Sequence, residues 1–197
     1  PKSPYGDTKA TIELMLKNIY LSSRESWRIA NLRYFNLIGA HESGLLGEDP
    51  LDIPNNLFPY ICKVAIGEYK ELEIYGNDWP TIDGTGVRDY VHVMDLAEAH
   101  KSALNFLMKE KPQIININIG TGKGTSVMEI VNIFQKVNKC KIPYKFVSRR
   151  EGDSPIVVAK NDLALSLLNW IPKRGLKEMC SDAWRWQKNN PNGYESN

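Results

Sequence analysis

The sequence predicts an α/β fold, and three observations carry that expectation. Segments of strand character alternate with segments of helical periodicity along the chain. Apolar residues make up 42% and charged residues 24% of the 197 positions, a globular composition sufficient for one large domain or two small ones. No internal repeat or low-complexity tract interrupts the alternation.

The elements follow in order. Ile12, Met15, Leu16, Ile19 and Tyr20 recur at the spacing of one helical face, which predicts an amphipathic helix from Pro4 to about Ser23. "WRIANLRYFN" (27–36) reads as a strand. The long stretch "LIGAHESGLLGEDPLDIPNNLFP" is rich in turn residues, and "YICKVAIG" (60–67) is a short helix ended by Gly67. "LEIYG" (72–76) is a strand and "NDWPTIDGTGVRD" a second polar loop. "DYVHVMD" (89–95) is a strand running into a helix capped by Asp95. "IININIG" (114–120) is a buried strand, and "SVMEIVNIFQKV" (126–137) is a helix opened by a Ser126–Glu129 capping box. "IPYKFV" and "PIVVA" are strands, while "KNDLALSLLNW" and "GLKEMCSDAWRWQKNN" are helices. Loops beyond about 12–15 residues inside a compact domain are usually functional or disordered. These two mix turn chemistry with apolar residues, so function is expected of them.

Several classes drop out. The 25 basic and 23 acidic residues are interleaved and the net charge is +2, which leaves no nucleic-acid stripe. No segment approaches the ~18–20 apolar residues of a membrane span, and no leader pattern opens the sequence. Cys62, Cys140 and Cys180 are odd in number and far apart, as in a reduced, cytoplasmic protein. The three His have no metal-ligand spacing with Cys, Asp or Glu, so no metal is expected. His41, His92 and His100 read as structural.

Four groups could carry chemistry. Tyr5 and Lys9 lie one above the other on the first helix. Lys9 falls three before Ile12, which places it on the buried stripe. An ammonium there favours the phenolate and makes Tyr5 a general-base candidate; the competing reading is a marginal Lys that snorkels to water. "NIGTGKGTSVMEI" has glycines between a strand and a helix, the setting of a pyrophosphate cradle. Its G-x-G-x-G spacing departs from the dinucleotide fingerprint and no acid ends the next strand, so a plain turn is the better reading. "GVRDY" and "RREGD" offer guanidinium forks suited to phosphate, or ordinary surface ion pairs. "PNNL" (54–57) offers amides for a ligand, or a helix N-cap.

Taken together, "SPYGDTK", "LRYFNLIGAH", "GEDPLDIPNNL", "DGTGVRDYVHVMDLAEAH", "NIGTGKGTSVMEI", "RREGD" and "DAWRWQKNNPNGY" closely resemble the UDP-glucose (UDP-galactose) 4-epimerase family of extended short-chain dehydrogenase/reductases. The resemblance runs from residue 1 to about 194 and identifies the chain as the C-terminal portion of such an enzyme, cut just before its Tyr-Lys helix. It implies the C-terminal part of a Rossmann-type doubly wound parallel sheet plus a smaller α/β substrate domain. Residues 1–37 would be the remainder of the NAD-binding domain and 38–197 mainly UDP-sugar-binding, with about 87–120 returning to the Rossmann part. The implied reaction is epimerisation at C4 of UDP-galactose and UDP-glucose through a 4-keto intermediate. NAD is the implied cofactor, and the full-length enzyme a homodimer.

By the same resemblance Tyr5 is the acid/base and Lys9 its partner on the nicotinamide ribose, with Tyr34 and Phe35 beside the cofactor. Asn36, Asn55, Asn56, Leu57, Glu73, Ile74, Tyr75, Arg88, Arg150 and Asp153 match UDP-sugar contacts. Val157 stands at a position where bulk limits N-acetylated sugars. Leu37 and Asp52 depart from the family pattern of Pro and Gly. Two alternatives remain: a nucleotide-sugar dehydratase or decarboxylase, and a non-catalytic UDP-sugar-binding module. This chain alone is expected to be inactive.

Overall fold

Parallel strand pairing organises the molecule. The computed structural model describes residues 4–194. The order is α1 (Pro4–Ser22), β1 (Arg28–Tyr34), β2 (Asn36–Ile38), α2 (Leu57–Ala65), β3 (Leu72–Tyr75), β4 (Val87–Arg88), β5 (Tyr90–His92) and α3 (Val93–Lys109). Then come β6 (Gln113–Ile119), β7 (Thr125–Ser126), α4 (Val127–Asn138), β8 (Tyr144–Val147), β9 (Ile156–Val157), α5 (Asp162–Leu168) and α6 (Leu176–Asn189). The α/β class and its parallel sheets match the sequence expectation.

β1 and β6 run parallel from Arg28↔Gln113 to Tyr34↔Ile119. At Phe35 the chain changes partner. Its N–H donates to the Ile119 carbonyl at 3.1 Å, and the next N–H, of Asn36, donates to Asp89 O at 3.0 Å. β2 then continues parallel to β5. The single strand expected over 27–36 is therefore two. β3 pairs with β8 in parallel, and β4 lies between antiparallel β7 and parallel β9.

Two apolar clusters hold these pieces. One gathers Val91, Leu96, Ala99, Ile117, Ile119 and Trp170 between α3, α5 and β6. The other gathers Phe58, Ile61, Leu72, Ile74, Phe134 and Met179 from α2, β3, α4 and α6. Phe134 is fully buried, with Phe58 and Trp184 meeting its ring edge-on at 6.0 and 5.9 Å. Local rules set several boundaries. Ser126 caps α4 by accepting the Glu129 N–H at 3.0 Å, and Gly67, at φ +84°, stops the chain after α2.

Two expectations fail for tertiary reasons. α1 contains no buried residue, so Lys9 is not on a buried stripe: it is exposed. Only one narrow side of α1 meets β1 and β6, and Leu16 and Tyr20 are half-buried there, while Ile12, Met15 and Ile19 stay exposed. The cap of α3 is His92, whose Nδ1 accepts the Met94 N–H at 3.0 Å. Asp95 lies inside the first turn, where its carboxylate accepts the backbone N–H groups of Lys173 and Arg174, each at 2.9 Å. A carboxylate engaged by an incoming chain segment is not free to cap its own helix.

Candidate functional site

A cleft of about 950 Å³ opens where the chain leaves β6 for β5. Crevices at the carboxyl ends of parallel strands, where connections diverge, are the usual ligand sites of open α/β sheets. Tyr34, Phe35 and Asn36 line it from the switch itself, Asn56 and Leu57 from the start of α2, Val157 from β9 and Tyr5 from the first turn of α1.

Tyr5 is 72% exposed, and the Lys9 ammonium sits 5.0 Å from the centroid of its ring. The pair therefore meets as a cation over an aromatic face. Since α1 has no fully buried residue, a polar contact helps to hold it. Arg33 Nε donates to Glu13 Oε1 at 2.6 Å, and a second guanidinium nitrogen reaches the other oxygen. That fork holds the Glu13 carboxyl below its usual range. Arg33 also lines the cleft, so the anchor of α1 belongs to the site wall.

The remaining candidates form two groups. The Arg150 guanidinium lies 3.9 Å from the Tyr75 ring centroid, and its Nη1 reaches the Asn55 carbonyl at 3.5 Å. Arg88 donates to the carbonyls of Val87 and Ser154 at 2.9 and 2.8 Å and faces Asp153 at 3.5 Å. Arg88 is the register partner of Val157, which ties this group to the cleft. Glu73 is 3.1 Å from the Lys145 ammonium and accepts the Tyr75 hydroxyl at 3.4 Å. The Ile74 side chain does not join these groups, because it is buried in the core.

The glycine-rich loop is a turn around the protein's own anion. Asp89, fully buried, accepts the backbone N–H groups of Thr121 (2.8 Å), Gly122 (2.9 Å) and Ala159 (3.2 Å), plus the Thr121 hydroxyl at 2.6 Å. A Cβ on Gly120 would stand 2.3 Å from that of Ala159 and 2.7 Å from the Asp89 carboxylate, so only Gly fits. The donors a pyrophosphate would need are already taken.

Among the cleft residues that sequence reasoning missed are Arg33, Glu48 and Tyr194. The Glu48 carboxyl is pushed up by burial, partly offset by the hydrogen bond from Asn56. An acid inside a long loop beside "NN" was the available signal. Asn56 is at the N-cap position of α2, yet its side chain makes no cap bond. Among the described residues no group of three or more His, Cys, Asp or Glu could hold a metal, and no helix is long and apolar enough to cross a membrane.

These features define a Rossmann-type α/β protein with a ligand cleft at the switch between strand partners. A family model described as GDP-mannose 4,6 dehydratase matches residues 1–183, and the chain belongs to that family. It is 50% identical over 194 residues to a UDP-glucose 4-epimerase of Bacillus subtilis (strain 168), covering 98% of this chain and 57% of the relative. A UDP-glucose 4-epimerase of Pasteurella multocida (strain Pm70) is 52% identical over 193 residues, covering 98% and 56%. Among solved structures, UDP-glucose 4-epimerase from Bifidobacterium longum in complex with NAD+ and UDP superposes with a TM-score of 0.93 at 44% identity, covering 98% of this chain and 56% of that one. The Stenotrophomonas maltophila enzyme with bound NAD and formylated UDP-arabinopyranose gives 0.92 at 44%, covering 96% and 56%. The chain thus spans little more than half the length of the relatives it matches.

Proposed function

We propose that this chain is the UDP-sugar-holding part of an enzyme of galactose metabolism that inverts C4 of UDP-glucose and UDP-galactose with NAD as cofactor. One observation carries the reading: a single cleft joins the exposed phenol of Tyr5, beside its ammonium partner, to Asn36, Asn56 and Val157, with Arg88 and Arg150 on the elements that border it.

Residues 1–37 and about 87–120 belong in this reading to the cofactor-binding part, and the rest holds the UDP-sugar. Tyr5, Lys9, Tyr34 and Phe35 fit the nicotinamide end of the cofactor: Tyr5, Tyr34 and the half-buried Phe35 line the cleft, and Lys9 stands beside the Tyr5 ring. The glycine-rich loop does not fit its pyrophosphate, because Asp89 occupies the loop's donors. Bound NAD supplies the two-electron acceptor that oxidation of the sugar C4 needs. Tyr5 takes the proton of the 4-hydroxyl and returns it after the sugar has turned over, with the Lys9 ammonium beside its ring. Arg88 and Arg150 hold the diphosphate as forks, Asn36, Asn55, Asn56 and Leu57 orient the sugar, and Glu73 and Tyr75 flank the uracil, with Ile74 contributing its backbone between them because its side chain is buried. Asp153 sets Arg88 and meets the ribose. Val157 is small enough to leave room for an N-acetyl group, so the N-acetylated pair is accepted too.

The whole enzyme is a cytoplasmic homodimer on this reading. The exposed apolar side of α1 supports an association surface, and buried free thiols, with Cys180 pushed up to about 12 by burial, suit a reducing compartment.

The test joins this chain to the N-terminal part of the Bacillus subtilis relative that it does not cover. The fusion should interconvert UDP-galactose and UDP-glucose, and Tyr5→Phe should lower kcat by ~10²–10⁴-fold with KM little changed. A Tyr5→Phe enzyme of undiminished kcat would remove Tyr5 from the reaction. The 197-residue chain alone should convert nothing.

A further inference from the structure

We propose that Glu48 is a positioning residue of the UDP-sugar cleft: it fixes the Asn56 carboxamide, and Tyr194 fastens the loop that carries it. The inference rests on the function proposed above and adds two residues to it.

The segment from 39 to 56 contains no helix or strand, and the C-terminal end of the described chain holds it in place. The Tyr194 hydroxyl accepts the Gly47 N–H at 2.9 Å and donates to the Gly47 carbonyl at 3.1 Å. The Tyr194 N–H donates to Asp49 Oδ2 at 2.7 Å, and Asn190 Nδ2 donates to the Gly44 carbonyl at 3.1 Å. The approach is close enough to demand glycine on both sides. A Cβ on Gly47 would stand 2.2 Å from the Trp186 ring, and one on Gly193, at φ +78°, 2.2 Å from the Asp49 carboxylate. One hydroxyl thus saturates both backbone groups of the residue immediately before Glu48.

Glu48 lines the cleft and accepts from Asn56 Nδ2 at 3.3 Å. A carboxylate only accepts, so Asn56 must turn its NH₂ toward Glu48, and the sense of its amide is fixed. The remaining N–H and the Oδ1 of Asn56 are left for a ligand. This explains why a residue at a helix N-cap position makes no cap bond.

Calorimetric titration of UDP-glucose into the 197-residue chain tests this, with melting curves to verify folding. Asn56→Ala and Glu48→Ala should each weaken binding by about tenfold. The double variant should be no weaker than N56A alone, because the two residues act through one hydrogen bond. Tyr194→Phe should weaken binding several-fold, and Glu48→Gln, whose amide oxygen keeps an acceptor, should recover part of the E48A loss. Wild-type affinity in E48A, or a double variant whose loss is the product of the single losses, would overturn the inference while leaving UDP-sugar binding intact. Absence of UDP-glucose binding by the wild-type chain would overturn the functional reading and this inference with it.

Discussion

The glycine-rich loop at 120–124 and the arginine-bearing rim at 88 and 149–153 both offer donors to an anion, and the fold treats them oppositely. In the loop the N–H groups of Thr121 and Gly122 turn inward onto Asp89, a carboxylate with no exposure at all. On the rim Arg150 lies over Tyr75 at 3.9 Å and makes only an exposed 3.5 Å contact with the Asn55 carbonyl, while its neighbour Arg149 is taken by Asp78. Donors already satisfied by a buried protein anion are structure, and donors resting on an aromatic face beside a cleft are available to a ligand. A motif acquires its meaning from what fills it.

The contrast is sharpest in stability. Asp89→Ala would strip the buried Ala159 N–H and the less buried Thr121 and Gly122 N–H groups of their acceptor, at about 1–3 kcal/mol for each group that water does not reach. A loss of about 3 kcal/mol or more in urea-unfolding free energy is expected. A loss below about 1 kcal/mol would mean that the loop donors find another partner, and the inward half of the comparison would fail.

Arg150→Ala should do the reverse. Its native bonds are exposed, so unfolding free energy should change by no more than about 0.5 kcal/mol, while UDP affinity falls by about tenfold. Equal UDP affinity in R150A and wild type would break the outward half.

The smallest effect concerns another buried polar group, on the strand that follows Asp89. His92 Nδ1 accepts a backbone N–H, so Nε2 carries the proton and donates to Asp182 at 3.3 Å. Burial pulls its pKa down, outweighing Asp182. The unfolded chain therefore takes up the proton first. Stability from His92 is complete above the ordinary histidine range, near ~6.5, and is lost as pH falls toward the lowered folded value. Urea midpoints should drop between pH 7.5 and 5.5, and His92→Gln should reduce that drop.

Local signals in the sequence were readable and long-range ones were not. The Ser126–Glu129 cap, the Gly67 stop and the strand at 114–120 rest on neighbours a few residues apart, and the structure has them at those places. The partner switch at Phe35 depends on Asp89 and Ile119, far along the chain, and no periodicity encodes it. The apolar stripe of α1 was legible as a pattern, but which side meets the sheet was not, so Lys9 was assigned to the wrong side. Tyr5, Asn36, Asn56 and Val157 stood out by motif and do share one cleft. Glu48 and Tyr194 did not, because their partners Asn56 and Gly47 are brought to them only by the path of a loop without regular structure.

The central claim is that nucleotide phosphate is held at the arginine rim of the cleft and not by the glycine loop. Amide chemical-shift mapping of the isotope-labelled chain during titration with UDP tests it directly. The expected result is saturable shifts centred on Asn55, Tyr75, Arg88 and Arg150, with Thr121 to Gly124 unmoved. Shifts centred on the glycine loop, or none that saturate, would contradict it.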